Sequence, residues 1–161
     1  MKRISVLILV LALCSLAYGQ EAIRNGIYRE YYENGAIMSE GNYKDGRKEG
    51  LHKEYYPNGR LSSEANYRDG RMDGVIREYY ENGSLYIEST YKNGQPTGIT
   101  TEYYPDGAAM RIWDYGKKGT VVCKEYHRAG KLASESTYIN NALKNVKRYD
   151  PSGKLIIDEQ Y

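Results

Sequence analysis

Phenylalanine is absent from this 161-residue sequence, tryptophan occurs once and cysteine twice, whereas tyrosine occurs 19 times. A thick hydrophobic core normally contains phenylalanine, so its absence favours a thin sheet, in which tyrosine rings pack on their neighbours and their hydroxyls stay in water. The sequence also lacks an excess of one charge, because 23 lysines and arginines stand against 21 aspartates and glutamates. This balance argues against a nucleic acid partner and against bulk attraction to anionic membranes.

Residues 1–19 have the features of a secretory signal peptide. Lys2 and Arg3 precede an apolar run over residues 4–17, and small side chains stand just before Gln20. We therefore predict cleavage before Gln20 and export to the periplasm or beyond. The apolar run is too short to span a bilayer comfortably. A retained amphipathic anchor is the alternative.

Export would leave a chain of balanced charge with a single cysteine. Acidic and basic residues become equal in number once the signal is removed, and Cys123 is the cysteine that remains. An intrachain disulfide is then impossible. Residues 20–25 are expected to form a linker ahead of the folded part.

A tyrosine pair followed by an Asn-Gly-type turn recurs along the rest of the chain. The first tyrosines of the copies are Tyr31, Tyr55, Tyr79, Tyr103, Tyr126 and Tyr149, and a second series lies midway at Tyr43, Tyr67, Tyr91, Tyr115, Tyr138 and Tyr161. A period of 24 and then 23 residues is typical of a repeat array. Half of that period suits one short strand plus one turn.

The period predicts an all-β protein, an elongated single-layer antiparallel β-meander built of about six hairpin repeats of 23–24 residues. The array covers 26–161, with repeats at about 26–49, 50–73, 74–97, 98–120, 121–143 and 144–161. The expected strands lie near 27–32, 36–43, 51–56, 60–67, 75–80, 84–91, 99–104, 108–115, 121–126, 131–138, 145–149 and 154–161.

Two kinds of turn alternate in this array. Proline often precedes the Asn-Gly pair, and proline cannot adopt a positive φ, so we expect a three-residue loop such as Pro57-Asn58-Gly59 in which only the glycine is left-handed. The other turns contain Asp-Gly or Asn-Gly after the second tyrosine series. We expect these loops to end at a second glycine, namely Gly50, Gly74 and Gly98.

Alternation along each strand divides the side chains into two predicted faces. The expected packed face mixes aliphatic, small and tyrosine residues, among them Leu51, Tyr55, Ala65 and Tyr67. Across strands, Leu51 is expected opposite Ala65, and Tyr67 opposite Val75.

The second predicted face carries an acid on nearly every strand, with tyrosines beside it. Its candidate partner-binding residues are Glu30, Glu40, Glu54, Glu64, Glu78, Glu88, Glu102, Tyr32, Tyr56, Tyr80 and Tyr104. The expected register sets Glu40 opposite Glu54, Glu64 opposite Glu78 and Glu88 opposite Glu102. Like charges facing each other destabilise a sheet. The stripe is therefore either a docking surface for a basic partner or an ordinary solvated face. The second alternative requires that the register is slipped by two residues or that the glutamate side chains splay apart into solvent.

The sequence offers no motif of an enzyme site. It contains no phosphate-binding loop and no Gly-x-Ser-x-Gly element. His52 and His127 are far apart, lie near no cysteine pair and are expected on strand surfaces. Carboxylates repeated on every strand form a periodic surface pattern, whereas a catalytic pair is usually singular. We therefore expect a non-enzymatic protein without a metal or cofactor.

The repeat Tyr-Tyr-x-Asn-Gly-x-Leu-x-x-Glu-x-x-Tyr-Lys-Asp-Gly-x-x-x-Gly resembles the variant MORN repeat over roughly residues 26–161. It is also similar to bacterial proteins known as YwqK-type antitoxins. The resemblance implies an elongated antiparallel sheet that acts in protein interaction and sometimes in membrane binding. Together with the export signal, it suggests an interaction module of the cell envelope, with immunity-like masking of a toxin as one role.

Two other functions remain open at this point. One is a membrane-surface protein, which balanced charge and the lack of a basic amphipathic helix do not favour. The other is a structural spacer without a dedicated ligand. The oligomeric state is not indicated.

Overall fold

The computed structural model describes residues 25–161, which form one antiparallel sheet of 12 strands in sequence order. The predicted signal peptide, and the predicted linker except Asn25, lie outside the described residues. The strands are β1 (Gly26–Tyr31), β2 (Ile37–Lys44), β3 (Arg47–Tyr55), β4 (Leu61–Arg68), β5 (Arg71–Tyr79), β6 (Leu85–Lys92), β7 (Gln95–Tyr103), β8 (Ala109–Asp114), β9 (Thr120–Tyr126), β10 (Leu132–Ile139), β11 (Ala142–Tyr149) and β12 (Leu155–Gln160). The predicted all-β meander is confirmed. In this part of the chain no helix is long and apolar enough to cross a membrane.

The three-residue loop is also confirmed. In the loop between β3 and β4, the amide of Tyr56 donates to the carbonyl of Arg60 at 2.8 Å, and the amide of Gly59 donates back to the carbonyl of Tyr56 at 2.8 Å. Gly59 has a φ of 81°, whereas Asn58 does not have a positive φ. The Asn58 side chain instead accepts a hydrogen bond from the amide of Arg60 at 3.0 Å. This is a type I turn closed by a left-handed glycine.

The second kind of turn is tighter than its sequence predicts. Asp45 and Gly46 are both left-handed, with φ values of 49° and 75°, and β3 begins directly afterwards at Arg47. Such a two-residue turn matches the natural twist of the flanking strands. The expectation that these loops end at Gly50, Gly74 and Gly98 is wrong, because these glycines lie inside strands and form bulges there.

A bulge in each hairpin changes the cross-strand register. Tyr55 lies opposite Leu61 as expected, but the next pair is Glu54 opposite Ser63, so Ser62 has no partner on β3. Because side chains alternate between faces, one inserted residue moves all following positions of the strand to the other face.

The predicted composition of the packed face is therefore right for the return strands, where Ala65 is buried, and wrong for the strands that pair with them. Ala65 lies opposite His52 rather than Leu51, and Tyr67 lies opposite Met72 rather than Val75. Leu51 is 45% exposed, whereas His52, which the sequence places on a strand surface, is only 7% exposed.

The most buried residues form one row across the sheet, with one residue from each of eight strands. The row contains Gly41, His52, Ala65, Ile76, Ser89, Thr100, Cys123 and Val146. No side chain among residues 25–161 is completely buried. The fold is therefore stabilised by many small contacts between neighbouring strands rather than by one thick core. We call the side of the sheet that carries this row the groove face and the opposite side the charge face.

Candidate interaction site

The structure divides the predicted acidic stripe between the two faces. Glu40 lies opposite Lys53, Glu64 opposite Arg77, and Glu88 opposite Thr101. The expected glutamate–glutamate pairs are therefore wrong, because the bulges shift the register by one residue. The charge face holds Glu40, Glu64 and Glu88, and the groove face holds Glu30, Glu54, Glu78 and Glu102.

On the charge face, acids and bases alternate across the sheet and compensate one another. Arg77 binds Glu88 at 2.6 Å and Glu64 at 3.3 Å, and Arg29 binds Glu40 at 2.9 Å. Hydrogen bonds from the Tyr55 hydroxyl and from Arg29 hold the pKa of Glu40 below its usual range. A partially exposed ladder of this kind contributes about 0.2–1 kcal/mol per pair. Its carboxylates are already occupied within the fold.

On the groove face, basic side chains neutralise the carboxylates only in the C-terminal half. Glu102 binds Arg111 at 2.9 Å, and Arg111 also binds Glu125 at 3.0 Å. By contrast, the carboxylates of Glu54 and Glu78 have no hydrogen-bond or ion-pair partner within residues 25–161. The N-terminal half of the groove face therefore presents negative charge that the described part of the chain does not neutralise.

The tyrosines of the predicted site hold successive repeats together. The hydroxyl of each donates to a backbone carbonyl in the next repeat: Tyr32 to Tyr55 at 2.6 Å, Tyr56 to Tyr79 at 2.6 Å, Tyr80 to Tyr103 at 2.7 Å and Tyr104 to Tyr126 at 3.3 Å. Burial raises the pKa of the Tyr80 hydroxyl. Since the hydroxyls are used inside the fold, these residues offer a partner mainly the surfaces of their rings.

A depression with a volume of about 730 Å³ lies on the sheet at β1 to β3. Its lining includes Tyr28, Glu30, His52, Glu54 and Tyr56. Its lining includes the acids Glu30, Glu33 and Glu54 against the base Lys48, whereas the side chains of Glu40 and Lys53, which also border it, belong to the charge face. The local charge is therefore negative.

His52 is the floor of this depression. Its ring lies edge-on between Tyr43 and Tyr67, with centroid distances of 5.2 and 5.1 Å, and its Nε2 lies 2.7 Å from the carbonyl of Asn42. The ring also covers Gly41, where a Cβ would lie 2.0 Å from the ring Nδ1. Burial lowers the pKa of His52, which favours the neutral ring, so the floor does not offset the nearby carboxylates at neutral pH.

A second depression, of about 340 Å³, lies at β5 to β8 and is lined by both apolar and acidic side chains. Ile76, Ile87, Tyr91, Trp113 and Tyr115 line it, with Glu78 among them. The periodic pattern of the sequence does not indicate this site. Trp113 stands where earlier repeats have Gly41, Ala65 and Ser89. This single large ring in a row of small residues is the feature of the sequence that could have indicated the depression.

Among residues 25–161, no three histidine, cysteine, aspartate or glutamate side chains are grouped so that they could hold a metal ion. In a comparison with protein families, the chain matches the MORN repeat variant over residues 24–45, 48–69, 72–93, 120–140 and 144–161. The unmatched part between these segments contains β7 and β8, which continue the same sheet. No curated protein matches the chain.

Proposed function

Because this chain belongs to the family of variant MORN repeat proteins, whose repeats are generally protein- or membrane-interaction modules and typically non-catalytic, we propose that it binds a basic protein partner through its groove face. The observation that carries this proposal is the pair of uncompensated carboxylates, Glu54 and Glu78, on the face that contains both depressions. The predicted export signal supports a location in the cell envelope, where masking a basic toxin domain is the role we propose.

Physical chemistry supports a protein partner on this face. Tyrosine rings are enriched at protein interfaces, and complementary charge speeds encounter and selects the partner. An anionic lipid surface would meet repulsion from the same carboxylates. The charge face offers a weaker attraction, because its carboxylates already bind Arg29 and Arg77.

The test replaces Glu54 and Glu78 together by glutamine. Neither carboxylate has an internal partner in the described part of the chain, so the double variant should fold normally. A protein captured on the wild-type chain from the native envelope should bind the variant about two- to tenfold more weakly at low salt, with little difference at high salt. The matched control is Asp69→Asn with Glu81→Gln, which removes the same charge at turns outside both depressions.

Two results would overturn the proposal. One is a captured partner whose affinity is equal for the wild type and for Glu54→Gln/Glu78→Gln at every salt concentration. The other is sedimentation of the wild-type chain with phosphatidylserine vesicles in the absence of other proteins, at a level that the same two substitutions do not change. That second result would support a membrane-surface function.

A further inference from the structure

The two depressions on the groove face differ in chemistry, and this difference specifies the partner further. Resting on the proposed function, we propose that the groove face binds an extended segment with a lysine or arginine and, about six positions along, a large apolar side chain. The basic side chain occupies the depression at β1 to β3, and the apolar one occupies the depression at β5 to β8.

The first depression suits a cation. Glu30 and Glu54 line it on the groove face, and the rings of Tyr28 and Tyr56 stand beside them. A cation gains both from carboxylates and from the faces of aromatic rings. Lys48 also lines the depression, but its ammonium group lies over the ring of Tyr67, 4.8 Å from the centroid. The volume of about 730 Å³ is ample for the side chain of arginine and its neighbours in the segment.

The second depression suits an apolar side chain. Ile76, Ile87 and Trp113 line it, and Tyr91 and Tyr115 enclose it. Two carboxylates also line it: that of Glu102 is neutralised by Arg111 at 2.9 Å, and that of Glu78, which has no partner within residues 25–161, adds to the negative charge that attracts the basic segment. The main source of affinity here is then the removal from water of apolar surface on both the bound side chain and the depression.

The spacing between the two sites follows from the geometry of the sheet. The first depression is centred near β2 and the second between β6 and β7. Neighbouring strands lie about 4.8 Å apart, so the centres are separated by about 20 Å. An extended segment advances about 3.3 Å per residue, which gives about six positions. Between the sites, β4 contributes the small side chain of Ala65 to the floor, which leaves room for the segment to pass.

Synthetic peptides test this inference directly. Acetylated and amidated peptides would carry one arginine and one leucine separated by three, six or ten positions, joined by glycine and serine. Trp113 is the only tryptophan of the chain and lines the apolar site, so its fluorescence reports leucine binding. We expect the six-position peptide to bind about tenfold more tightly than the other two, because only this length lets both side chains bind at once.

Single-site variants separate the two contacts. Glu54→Gln should reduce the affinity of the six-position peptide while leaving the affinity of a peptide with norleucine in place of arginine unchanged. Ile87→Ala should weaken the leucine contact and reduce the change in Trp113 emission. Asp69→Asn with Glu81→Gln should bind like the wild type.

The outcomes distinguish this inference from the proposed function. The two-site inference is overturned if the peptides with all three spacings bind equally and in a salt-dependent way, or if binding leaves Trp113 emission unchanged. Either result is still compatible with a basic partner. Absence of measurable binding by the six-position peptide also overturns the inference. The proposed function itself fails only in the test with the native partner and Glu54→Gln/Glu78→Gln.

Discussion

Replacing Gly41 by alanine should disrupt the first depression, because the imidazole of His52 occupies the space that a methyl group would need. A Cβ at position 41 would lie 2.0, 2.3 and 2.4 Å from three atoms of that ring. His52 cannot move aside easily, since Tyr43 and Tyr67 contact it edge-on from two sides. The backbone conformation is not the obstacle, because Gly41 does not have a positive φ.

The expected cost follows from the contacts that must be lost. Forcing an extra methyl into a packed site costs about 1–3 kcal/mol. Displacing the ring also removes the contact between His52 Nε2 and the Asn42 carbonyl at 2.7 Å, and a hydrogen bond of this kind contributes about 0.5–1.5 kcal/mol. We therefore expect Gly41→Ala to lower the free energy of unfolding by about 2–4 kcal/mol.

The next repeat suggests a second substitution that should restore the lost stability. The equivalent of the Gly41–His52 pair is the pair of Ala65 and Ile76, which lie opposite each other and are both buried. The double variant Gly41→Ala/His52→Ile reproduces that pair and should recover most of the stability, whereas His52→Ile alone should cost about 1–2 kcal/mol for the space it leaves.

Urea denaturation and amide hydrogen exchange in β2 and β3 would measure these effects, since damage in a repeat array is largely local. The single variants and the double variant form a cycle, and the coupling between positions 41 and 52 should be about 1–3 kcal/mol. A Gly41→Ala protein with wild-type stability, or a double variant that shows the sum of the two single losses, would refute the role assigned to the His52 ring.

Three further predictions concern a turn, a repeat contact and the buried thiol. Gly59→Ala should cost about 1 kcal/mol because of the positive φ alone, since a Cβ there meets nothing within 4 Å, and hydrogen exchange should show lost protection confined to that hairpin. Tyr56→Phe should cost about 0.5–1.5 kcal/mol in urea denaturation by removing the 2.6 Å hydrogen bond to the Tyr79 carbonyl, whereas Tyr31→Phe, whose hydroxyl makes no hydrogen bond within the described residues, should cost less. Burial raises the pKa of the Cys123 thiol from 9.0 to about 11, so the unfolded chain loses this proton first and stability should fall between these pH values as pH rises. Cys123→Ala should flatten that slope, and an equally steep slope in the variant would contradict the assignment.

The sequence was sufficient for the repeat, the strands and the three-residue loops, because each depends on local patterns. The tyrosine spacing determines the strand number, and the inability of proline to adopt a positive φ determines that Gly59, and not Asn58, is left-handed. These features need no knowledge of what lies on the neighbouring strand.

The cross-strand register could not be predicted, because the bulges depend on packing between strands. Ser62 looks like any other strand residue in sequence, yet its insertion moves Glu64 to a different face from Glu54. The predicted acidic stripe is consequently two stripes, and only the one on the groove face retains free carboxylates. The apolar depression was missed for the same reason, since it forms only when Ile76 and Trp113 lie on the same side of the sheet.

The strictly sequential order of the 12 strands also determines how the protein responds to force. The two described ends of the chain lie in β1 and β12, at opposite edges of the sheet. Tension applied between them acts along the inter-strand hydrogen bonds, which run perpendicular to the strands. The strands would then peel away one at a time, each rupture breaking one ladder, and the four tyrosine bonds between repeats would break in the course of it. The sheet would extend in many small steps at low force, as a tether that lengthens gradually, and would re-form hairpin by hairpin when the load is removed.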